Sequence, residues 1–124
     1  MKILFVCTGN INRSAAAEVL GRLLGWDVKS CGLNGREGRL MSPRMRERLG
    51  VKEFRSTSIS QELVDWADVL VGFQPSHVAA LEPYGKPVYL IKIKDPHFDS
   101  SGRLHDAALA TLREELPRLM EVIK

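Results

Sequence analysis

The residues best suited to chemistry are Cys7 and Arg13, six positions apart in the segment Cys7–Ser14, which reads CTGNINRS. A cysteine thiolate is a strong nucleophile, and the planar guanidinium group of arginine forms paired hydrogen bonds with phosphate oxygens. Gly9 and Asn10 belong to the residue types that tolerate a left-handed backbone, so the turn can aim several N–H groups at one anion. The segment therefore predicts attack by Cys7 on a phosphoryl group that the turn binds.

A second candidate lies far along the chain, where Asp95 precedes Pro96. A carboxyl group can donate a proton to a leaving oxygen and can later take one from water, which is general acid and base catalysis. The alternative is an aspartate that only forms a turn before proline, which is a common pairing. Which interpretation holds depends on whether the fold brings Asp95 to Cys7.

The elements that would position these residues follow from the apolar pattern. Strands are predicted over 2–6, 26–31, 68–73 and 88–93. Helices are predicted over 14–24, 43–49 with Ser42 as the N-cap, 61–67 with Ser60 as the N-cap, 75–81 and 104–123, the last with Pro117 as a possible kink. Alternating strands and helices are typical of an α/β fold with a parallel sheet, whose ligands bind at the carboxyl ends of the strands. We therefore expect Cys7 and Asp95 to face one pocket.

Composition limits the classes of protein that the chain can represent. The sequence has 124 residues, of which 44% are hydrophobic, so we expect one domain over 1–124 with its own core. No apolar run approaches the ~20 residues of a membrane span, and we expect no membrane partner. Two cysteines form neither a disulfide framework nor a zinc motif, so we predict a reduced, cytoplasmic protein without a bound metal.

Basic residues are concentrated between positions 36 and 55, and the net charge is +3. The basic cluster comprises Arg36, Arg39, Arg44, Arg46, Arg48, Lys52 and Arg55. One interpretation is a solvated helix face with its flanking loop, and the other is attraction of an anionic substrate. A nucleic-acid partner is not expected, because that class of protein shows a stronger basic bias with interleaved aromatic residues.

The motif resembles the phosphate loop of the low-molecular-weight protein tyrosine phosphatases, which reads C-x-G-N-x-C-R-S. Asp95 and Pro96 are similar to the family's general-acid loop, and the segments MSPRMRERLGV and SISQELVDWADVLV are also similar. The resemblance covers nearly the whole chain. It implies a flavodoxin-like three-layer sandwich with a four-stranded parallel sheet in the order 2-1-3-4.

The resemblance also implies a reaction and a set of site residues. The family hydrolyses phosphotyrosine and aryl phosphate monoesters through a phosphocysteine, without a cofactor. Cys7 would be the nucleophile, Arg13 would hold the phosphoryl oxygens, Asp95 would be the acid and then the base, and Ser14 would hydrogen-bond the thiolate while Asn10 holds the loop. Phosphate and vanadate would inhibit. The phosphate-binding residues would be Thr8, Gly9, Asn10, Ile11, Asn12, Arg13 and Ser14, and the substrate-lining residues Leu33, His97 and Phe98.

The chain departs from the family at several positions. Asn12 replaces the second loop cysteine, so the family's protective disulfide is not expected, and Cys31 is interpreted as a core residue. Phe54 and Thr57 stand where the family has a histidine and an arginine that support the loop. His77, after the third predicted strand, is interpreted as structural.

Three alternatives to a tyrosine phosphatase remain open. A thioredoxin-coupled arsenate reductase would need two cysteines besides Cys7, and the chain has one. Phosphoarginine phosphatases are near relatives that carry threonine where this chain has Ile11. A phosphate-loop protein that binds a phosphorylated partner with little turnover belongs to a different class. Hydrolysis of a generic aryl phosphate separates this last alternative from the enzymes.

Overall fold

The computed structural model describes residues 1–34 and 36–123, and Gly35 and Lys124 lie outside this description. The strands are β1 Lys2–Cys7, β2 Asp27–Gly32, β3 Val69–Gly72 and β4 Val88–Leu90. The helices are α1 Arg13–Leu23, α2 Pro43–Leu49, α3 Gln61–Trp66, α4 Pro75–Leu81 and α5 Arg103–Ile123, with a 3-10 turn at Glu82–Tyr84. None of these helices is long and apolar enough to cross a membrane.

The four strands form one parallel sheet in the order β2-β1-β3-β4. This confirms the predicted flavodoxin-like arrangement and its strand order. Parallel neighbours place their carboxyl ends at one edge, so the loops after all four strands gather there. Because β2 and β4 are the two outer strands, the loops that follow them approach this edge from opposite sides.

Side chains alternate between the two faces of the sheet because β-strands have a period of two. Ile3 and Phe5 of β1 pack with α1, α2 and α5, whereas Leu4 and Val6 pack with α3 and α4. Both layers are therefore closed by helices, which explains why the strands read as nearly continuous apolar runs.

The same alternation separates the two cysteines. In the register of β1 and β2, Cys31 stands beside Val6 and Gly32 stands beside Cys7. Cys7 belongs to the face covered by α1, and Cys31 belongs to the opposite face, where it is fully buried. Both thiols are free. Cys31 is a core residue, as its position in a strand predicted.

Helices α2 and α3 show where the predicted caps form and where one does not. Gly50 ends α2 in a left-handed conformation with φ of 67°, and the Ser60 hydroxyl accepts the Leu63 N–H at 3.2 Å to begin α3. Ser42 precedes α2, but its hydroxyl donates to Asn12 Oδ1 and does not cap the helix. This contact ties the start of α2 to the loop after β1.

The fourth strand is shorter than predicted, whereas the last helix has the predicted extent. Strand β4 ends at Leu90, although single hydrogen bonds from Ile91 N–H to Gly72 O and from Ile93 N–H to Phe73 O, each 3.0 Å, continue along β3. An outer strand has a partner on one side only, so its regular pairing stops where β3 ends. Helix α5 continues through Pro117.

Candidate active site

The loop between β1 and α1 wraps its backbone around the Cys7 sulfur. Asn10 adopts the left-handed conformation, with φ of 56°, whereas Gly9 has a negative φ. This turn directs the Asn10 N–H to Cys7 Sγ at 3.3 Å. The Ser14 hydroxyl lies 2.8 Å from the same sulfur. Cys7 is 2% exposed, so the sulfur lies at the floor of the loop and not on the surface.

A buried hydrogen-bond network holds Asn10 from the β2 side. Its Oδ1 accepts the Thr57 N–H at 2.8 Å, and its Nδ2 donates to Ser14 Oγ at 2.8 Å and to Ser30 Oγ at 2.9 Å. Ser14 Oγ therefore accepts from Asn10, and its own hydrogen is free to reach Cys7 Sγ, which is closer than the Cys31 carbonyl oxygen at 3.4 Å. A thiolate has no hydrogen to donate, so Ser14 is the donor of this contact whenever Cys7 is ionised.

The network ends at a buried carboxyl group on α1. Ser30 donates its hydroxyl hydrogen to Glu18 Oε1 at 2.9 Å, and Arg22 forms an ion pair with Glu18 Oε2 at 3.0 Å. Burial raises the pKa of Glu18 above its usual value, although the Ser30 hydrogen bond and the Arg22 charge oppose this rise. With its hydrogen directed to Glu18, Ser30 presents a lone pair to Asn10 and keeps the network in one orientation.

The end of β2 lies directly against the phosphate loop. A Cβ atom at Gly32 would stand 2.8 Å from Thr8 O, 3.0 Å from Gly9 C and 3.1 Å from Asn10 N. All three are backbone atoms of the loop, which cannot give way as a flexible side chain would. Glycine at this position allows the strand to support the loop at contact distance.

His77 on α4 holds the loop from the β3 side. Its Nδ1 accepts the Phe73 N–H at 3.0 Å, so the ring hydrogen lies on Nε2, which donates to Thr8 Oγ1 at 3.0 Å. The side chain is 1% exposed. Burial, together with the nearby positive charge of Arg13, lowers the pKa of His77 to about 4, while Asp95 opposes this shift. The imidazole is therefore neutral near pH 7, as its acceptor role requires.

Arg13 is the largest fully buried side chain and is fixed by three partners. Its Nη1 donates to Gln74 Oε1 at 2.7 Å and to Ile93 O at 3.1 Å, and its Nη2 lies 3.5 Å from Asp95 Oδ2. The loops after β3 and β4 therefore orient the guanidinium group together. A held guanidinium plane is suited to bidentate recognition of a phosphoryl group.

Asp95 follows β4 and lies at the mouth of the site. Its side chain is 46% exposed, and its Oδ1 accepts the His97 N–H at 3.0 Å. This turn contact orients the carboxyl group, while its exposure leaves it open to both substrate and water. The predicted meeting of Asp95 and Cys7 at one edge of the sheet is found, since both residues line the same cleft.

The cleft has a volume of about 420 Å³. Its lining residues are Cys7, Thr8, Gly9, Ile11, Asn12, Arg13, Asn34, Arg36, Arg39, Asp95 and His97. Most of the predicted loop residues are therefore brought together, while the buried Asn10 and Ser14 support the loop from behind. Arg36 and Arg39 come from the predicted basic cluster.

Two residues predicted to line the substrate pocket, Leu33 and Phe98, lie elsewhere. Leu33 packs against the apolar cluster around Leu4 and Cys31, because this end of β2 turns its side chain toward the core. Phe98 is 93% exposed, contacts the edge of the His97 ring and borders a neighbouring depression. Motif matching located the segments but not the directions of these side chains.

The positions where the chain departs from the predicted motif also have defined contacts. Asn12 is buried and accepts the Ser42 hydroxyl, so it fastens α2 to the loop. Phe54 packs against the core, and Thr57 supports the loop through its backbone N–H rather than its side chain. Loop support is therefore supplied by different groups from those that the motif suggested.

Sequence reasoning missed Gln74 and the Ser30–Glu18 pair and gave His77 only a structural role. The available signal was position: His77 and Gln74 come directly after a predicted strand, at the edge where the site forms. The signal for Ser30 was an inward polar residue in a strand otherwise buried on that face. Neither pattern names its partner, because the contacts join segments distant in sequence.

The chain is similar to several known proteins. The model of the family "Low molecular weight phosphotyrosine protein phosphatase" matches residues 2–124. A protein-arginine-phosphatase of Geobacillus stearothermophilus is 36% identical over 83 residues. That match covers 61% of this chain and 56% of the relative, so the chain aligns with little more than half of the relative's length.

Two solved structures superpose closely on the chain. The YwlE arginine phosphatase of Geobacillus stearothermophilus has a TM-score of 0.87 at 26% identity, covering 98% of this chain and 92% of that one. The tyrosine phosphatase Wzb of Escherichia coli K30, solved in complex with phosphate, has a TM-score of 0.85 at 27% identity, covering 99% and 98%. Relatives with two different substrates therefore share the fold.

Proposed function

The chain belongs to the low molecular weight phosphotyrosine protein phosphatase family, and from this premise we propose that it hydrolyses phosphotyrosine or related aryl phosphate monoesters through a phosphocysteine. The observation that carries the proposal is the arrangement at Cys7. The sulfur accepts the Asn10 N–H at 3.3 Å and lies 2.8 Å from the Ser14 hydroxyl oxygen. Arg13 and Asp95 line the same cleft.

In the first step the Cys7 sulfur attacks phosphorus, and the bond from phosphorus to the aryl oxygen breaks. Asp95 donates its proton to that oxygen, so the leaving group departs as a neutral phenol. Arg13 and the N–H groups of the loop bind the equatorial phosphoryl oxygens, whose charge must be stabilised in the transition state. The Ser14 hydroxyl stabilises the sulfur when it is negatively charged.

In the second step water hydrolyses the phosphocysteine. Asp95, now a carboxylate, takes a proton from the water molecule, whose oxygen attacks phosphorus while the bond to Cys7 sulfur breaks. Inorganic phosphate leaves, and the thiolate and the carboxylic acid are restored once Asp95 keeps the proton. The 46% exposure of Asp95 supports this role, because water must reach the same group that first served the leaving oxygen.

The substrate class rests on the wall of the cleft at Ile11. Ile11 is a branched apolar residue that lines the same cleft as Cys7, and an aromatic ring gains from contact with such a surface. A guanidinium group bonded to phosphorus would instead need polar partners there. The second candidate is phosphoarginine, because the relative that is 36% identical and a closely superposing structure are both described as arginine phosphatases.

We also propose a cytoplasmic location and inhibition by inorganic phosphate or vanadate. Both cysteines are free, and a covalent reaction at Cys7 needs a reduced thiol, which the cytoplasm maintains. Phosphate would occupy the loop as a product, and vanadate would occupy it as a mimic of the five-coordinate transition state.

The covalent mechanism is tested with Cys7→Ser and a matched control, Cys31→Ser. The two residues lie on neighbouring strands, one position apart in the register, and face opposite sides of the sheet. Cys7→Ser should lose essentially all turnover of an aryl phosphate while it still binds phosphate. Cys31→Ser should keep kcat, apart from any loss of folded protein. If Cys7→Ser retained a tenth of the wild-type activity, the covalent mechanism would be wrong.

The substrate class is tested by comparing kcat/KM on matched phosphotyrosine, phosphoserine and phosphoarginine peptides. Wild type should prefer phosphotyrosine, because the long ring lets phosphorus reach the buried sulfur while phosphoserine stops above it. Ile11→Thr should shift the preference toward phosphoarginine by adding a polar partner at the entrance. A wild-type preference for phosphoarginine would refute the tyrosine assignment and leave the phosphatase chemistry standing.

A further inference from the structure

Two arginines at the cleft, Arg36 and Arg39, have no assigned role in the reaction. They belong to the loop after β2, whereas Asp95 and His97 belong to the segment after β4. Since β2 and β4 are the outer strands, the two pairs approach the cleft from opposite sides of the phosphate loop. The mouth of the cleft is therefore cationic on one side and carries the general-acid segment on the other.

The charges of Arg36 and Arg39 are free to act on a ligand. Both side chains are exposed, and within residues 1–34 and 36–123 neither forms a salt bridge or a side-chain hydrogen bond. Other members of the basic cluster are engaged. Arg48 pairs with Asp106, and Arg55 pairs with Glu53 and donates to Gly38 O.

The backbone that carries these arginines is firmly attached. Ser56, which is 2% exposed, donates its hydroxyl hydrogen to Arg36 O, and its Oγ accepts the Arg39 N–H at 2.9 Å. The Ser56 N–H donates to Arg39 O at 2.7 Å, and the Gly38 N–H donates to Ser56 O at 2.9 Å. Because four hydrogen bonds at one buried serine already hold this backbone, binding adds little backbone ordering cost, although the arginine side chains must still be ordered.

The loop is also attached to the phosphate loop itself. The Leu33 N–H donates to Cys7 O at 2.9 Å, and the Asn34 N–H donates to Thr8 O at 3.0 Å. The start of the loop is thereby attached next to the point where phosphorus must sit. Arg13 and the loop N–H groups already serve the phosphoryl dianion, so the rim charges remain available for other negative groups of the same substrate.

We propose that Arg36 and Arg39 form a recognition rim for phosphotyrosine peptides that carry carboxylate side chains on one flank of the phosphotyrosine. The proposal rests on the proposed phosphatase function and names its substrate class more narrowly. The ring enters the cleft toward Cys7, and the peptide backbone crosses the mouth. A flanking glutamate on the β2 side is attracted by the two guanidinium groups. A flanking glutamate on the β4 side lies near the Asp95 carboxyl group, which gives it no such attraction.

The rim should act mainly on capture of the substrate. Each exposed arginine–carboxylate contact changes affinity by up to about fivefold, and rim charges chiefly change the association rate and its dependence on salt. We therefore expect a preference of about tenfold in kcat/KM for the better-placed acidic peptide over a glutamine peptide. The preference should shrink above ~0.3 M salt, where charges are screened over a few ångströms.

The test uses four substrates: a small aryl phosphate, and phosphotyrosine peptides with two glutamates before the phosphotyrosine, two after it, or glutamines at all four positions. They are assayed with wild type, Arg36→Gln, Arg39→Gln and the double variant. Arg118→Gln is the matched control, because it removes the same charge from an exposed site on α5, where Arg118 pairs with Glu114 and Glu115.

With wild type, we expect one of the two glutamate peptides to have a higher kcat/KM than the glutamine peptide. Each single variant should reduce the ratio of these two kcat/KM values, and the double variant should bring it to one. Arg118→Gln should keep the wild-type ratio. A fifth substrate, with lysines in place of the glutamates on that flank, tests the charge reversal Arg39→Glu, which should favour it over the glutamate peptide. Equal kcat/KM of wild type for all three peptides would refute the proposed recognition rim. A preference for the glutamate peptide that survives in the double variant would refute it too. Absence of turnover with the aryl phosphate would instead overturn the proposed function.

Discussion

Replacing His77 by glutamine should remove a specific part of the pH dependence of stability. The folded protein holds His77 with a pKa of about 4, because burial and the charge of Arg13 disfavour the imidazolium. The unfolded chain binds the same proton with a pKa near 6.5. Between these two pH values the unfolded state holds more protons, so stability falls as the pH falls. Well above pH 6.5 His77 is neutral in both states, so the protein keeps its full stability at this residue.

The size of the effect follows from the two pKa values. Proton linkage predicts that wild type loses about 3 kcal/mol of unfolding free energy at this residue between pH 7 and pH 4. Near pH 7 His77→Gln should be less stable than wild type by about 1–3 kcal/mol, because the Phe73 N–H and Thr8 contacts are disturbed. The two unfolding free energies should therefore converge, or even cross, as the pH approaches 4.

Urea unfolding at several pH values between 4 and 7, followed by circular dichroism, measures this convergence. Thr8→Val is the matched control, since it removes the hydrogen bond to Nε2 but leaves the buried imidazole and its charged neighbours. That variant should be destabilised yet keep the wild-type pH slope. If wild type and His77→Gln lost stability in parallel from pH 7 to pH 4, the assigned burial of a neutral imidazole would be refuted.

Two other predictions address the reaction and its sensitivity to oxidants. Asp95→Asn should lower kcat by ~10²–10⁴ for aryl phosphates with poor leaving groups and much less for good ones, because only the former need the proton; an equal loss across a leaving-group series would count against Asp95 as the acid. Peroxide should convert Cys7 to oxoacids, while Cys31 stays reduced, because burial raises its pKa to about 12 and it faces the other side of the sheet. Peptide mass spectrometry measures both thiols, and an abundant Cys7–Cys31 disulfide would show that the cysteines can meet.

Features encoded within one continuous segment could be predicted from the sequence. The loop from Cys7 to Arg13 carries its own turn residue, Asn10, and leads directly into α1, so its position between a strand and a helix could be read from one segment. Asp95 was also predictable, because parallel strands bring their carboxyl ends to one edge whatever the sequence distance.

Features that depend on the direction of a side chain were not predictable. Leu33 and Phe98 lie in the expected segments, yet one turns into the core and the other into solvent. His77 reaches Thr8 only because α4 packs closely on β3, where a Cβ at Gly72 would stand 2.7 Å from His77 Cβ. Such contacts are decided by packing distances of a few ångströms, which periodicity does not report.

The contact between β2 and the phosphate loop also makes Gly32 a different kind of glycine from Gly50. At Gly50 the constraint is torsional: φ is 67° and a Cβ would meet nothing within 4 Å, so asparagine is an acceptable replacement. At Gly32 the constraint is one of volume, because every other amino acid adds the same Cβ that would meet the loop backbone at 2.8 Å. In a saturation scan that scores abundance and turnover separately, substitutions at Gly50 should form a graded series. Substitutions at Gly32 should all abolish turnover to a similar degree, alanine included.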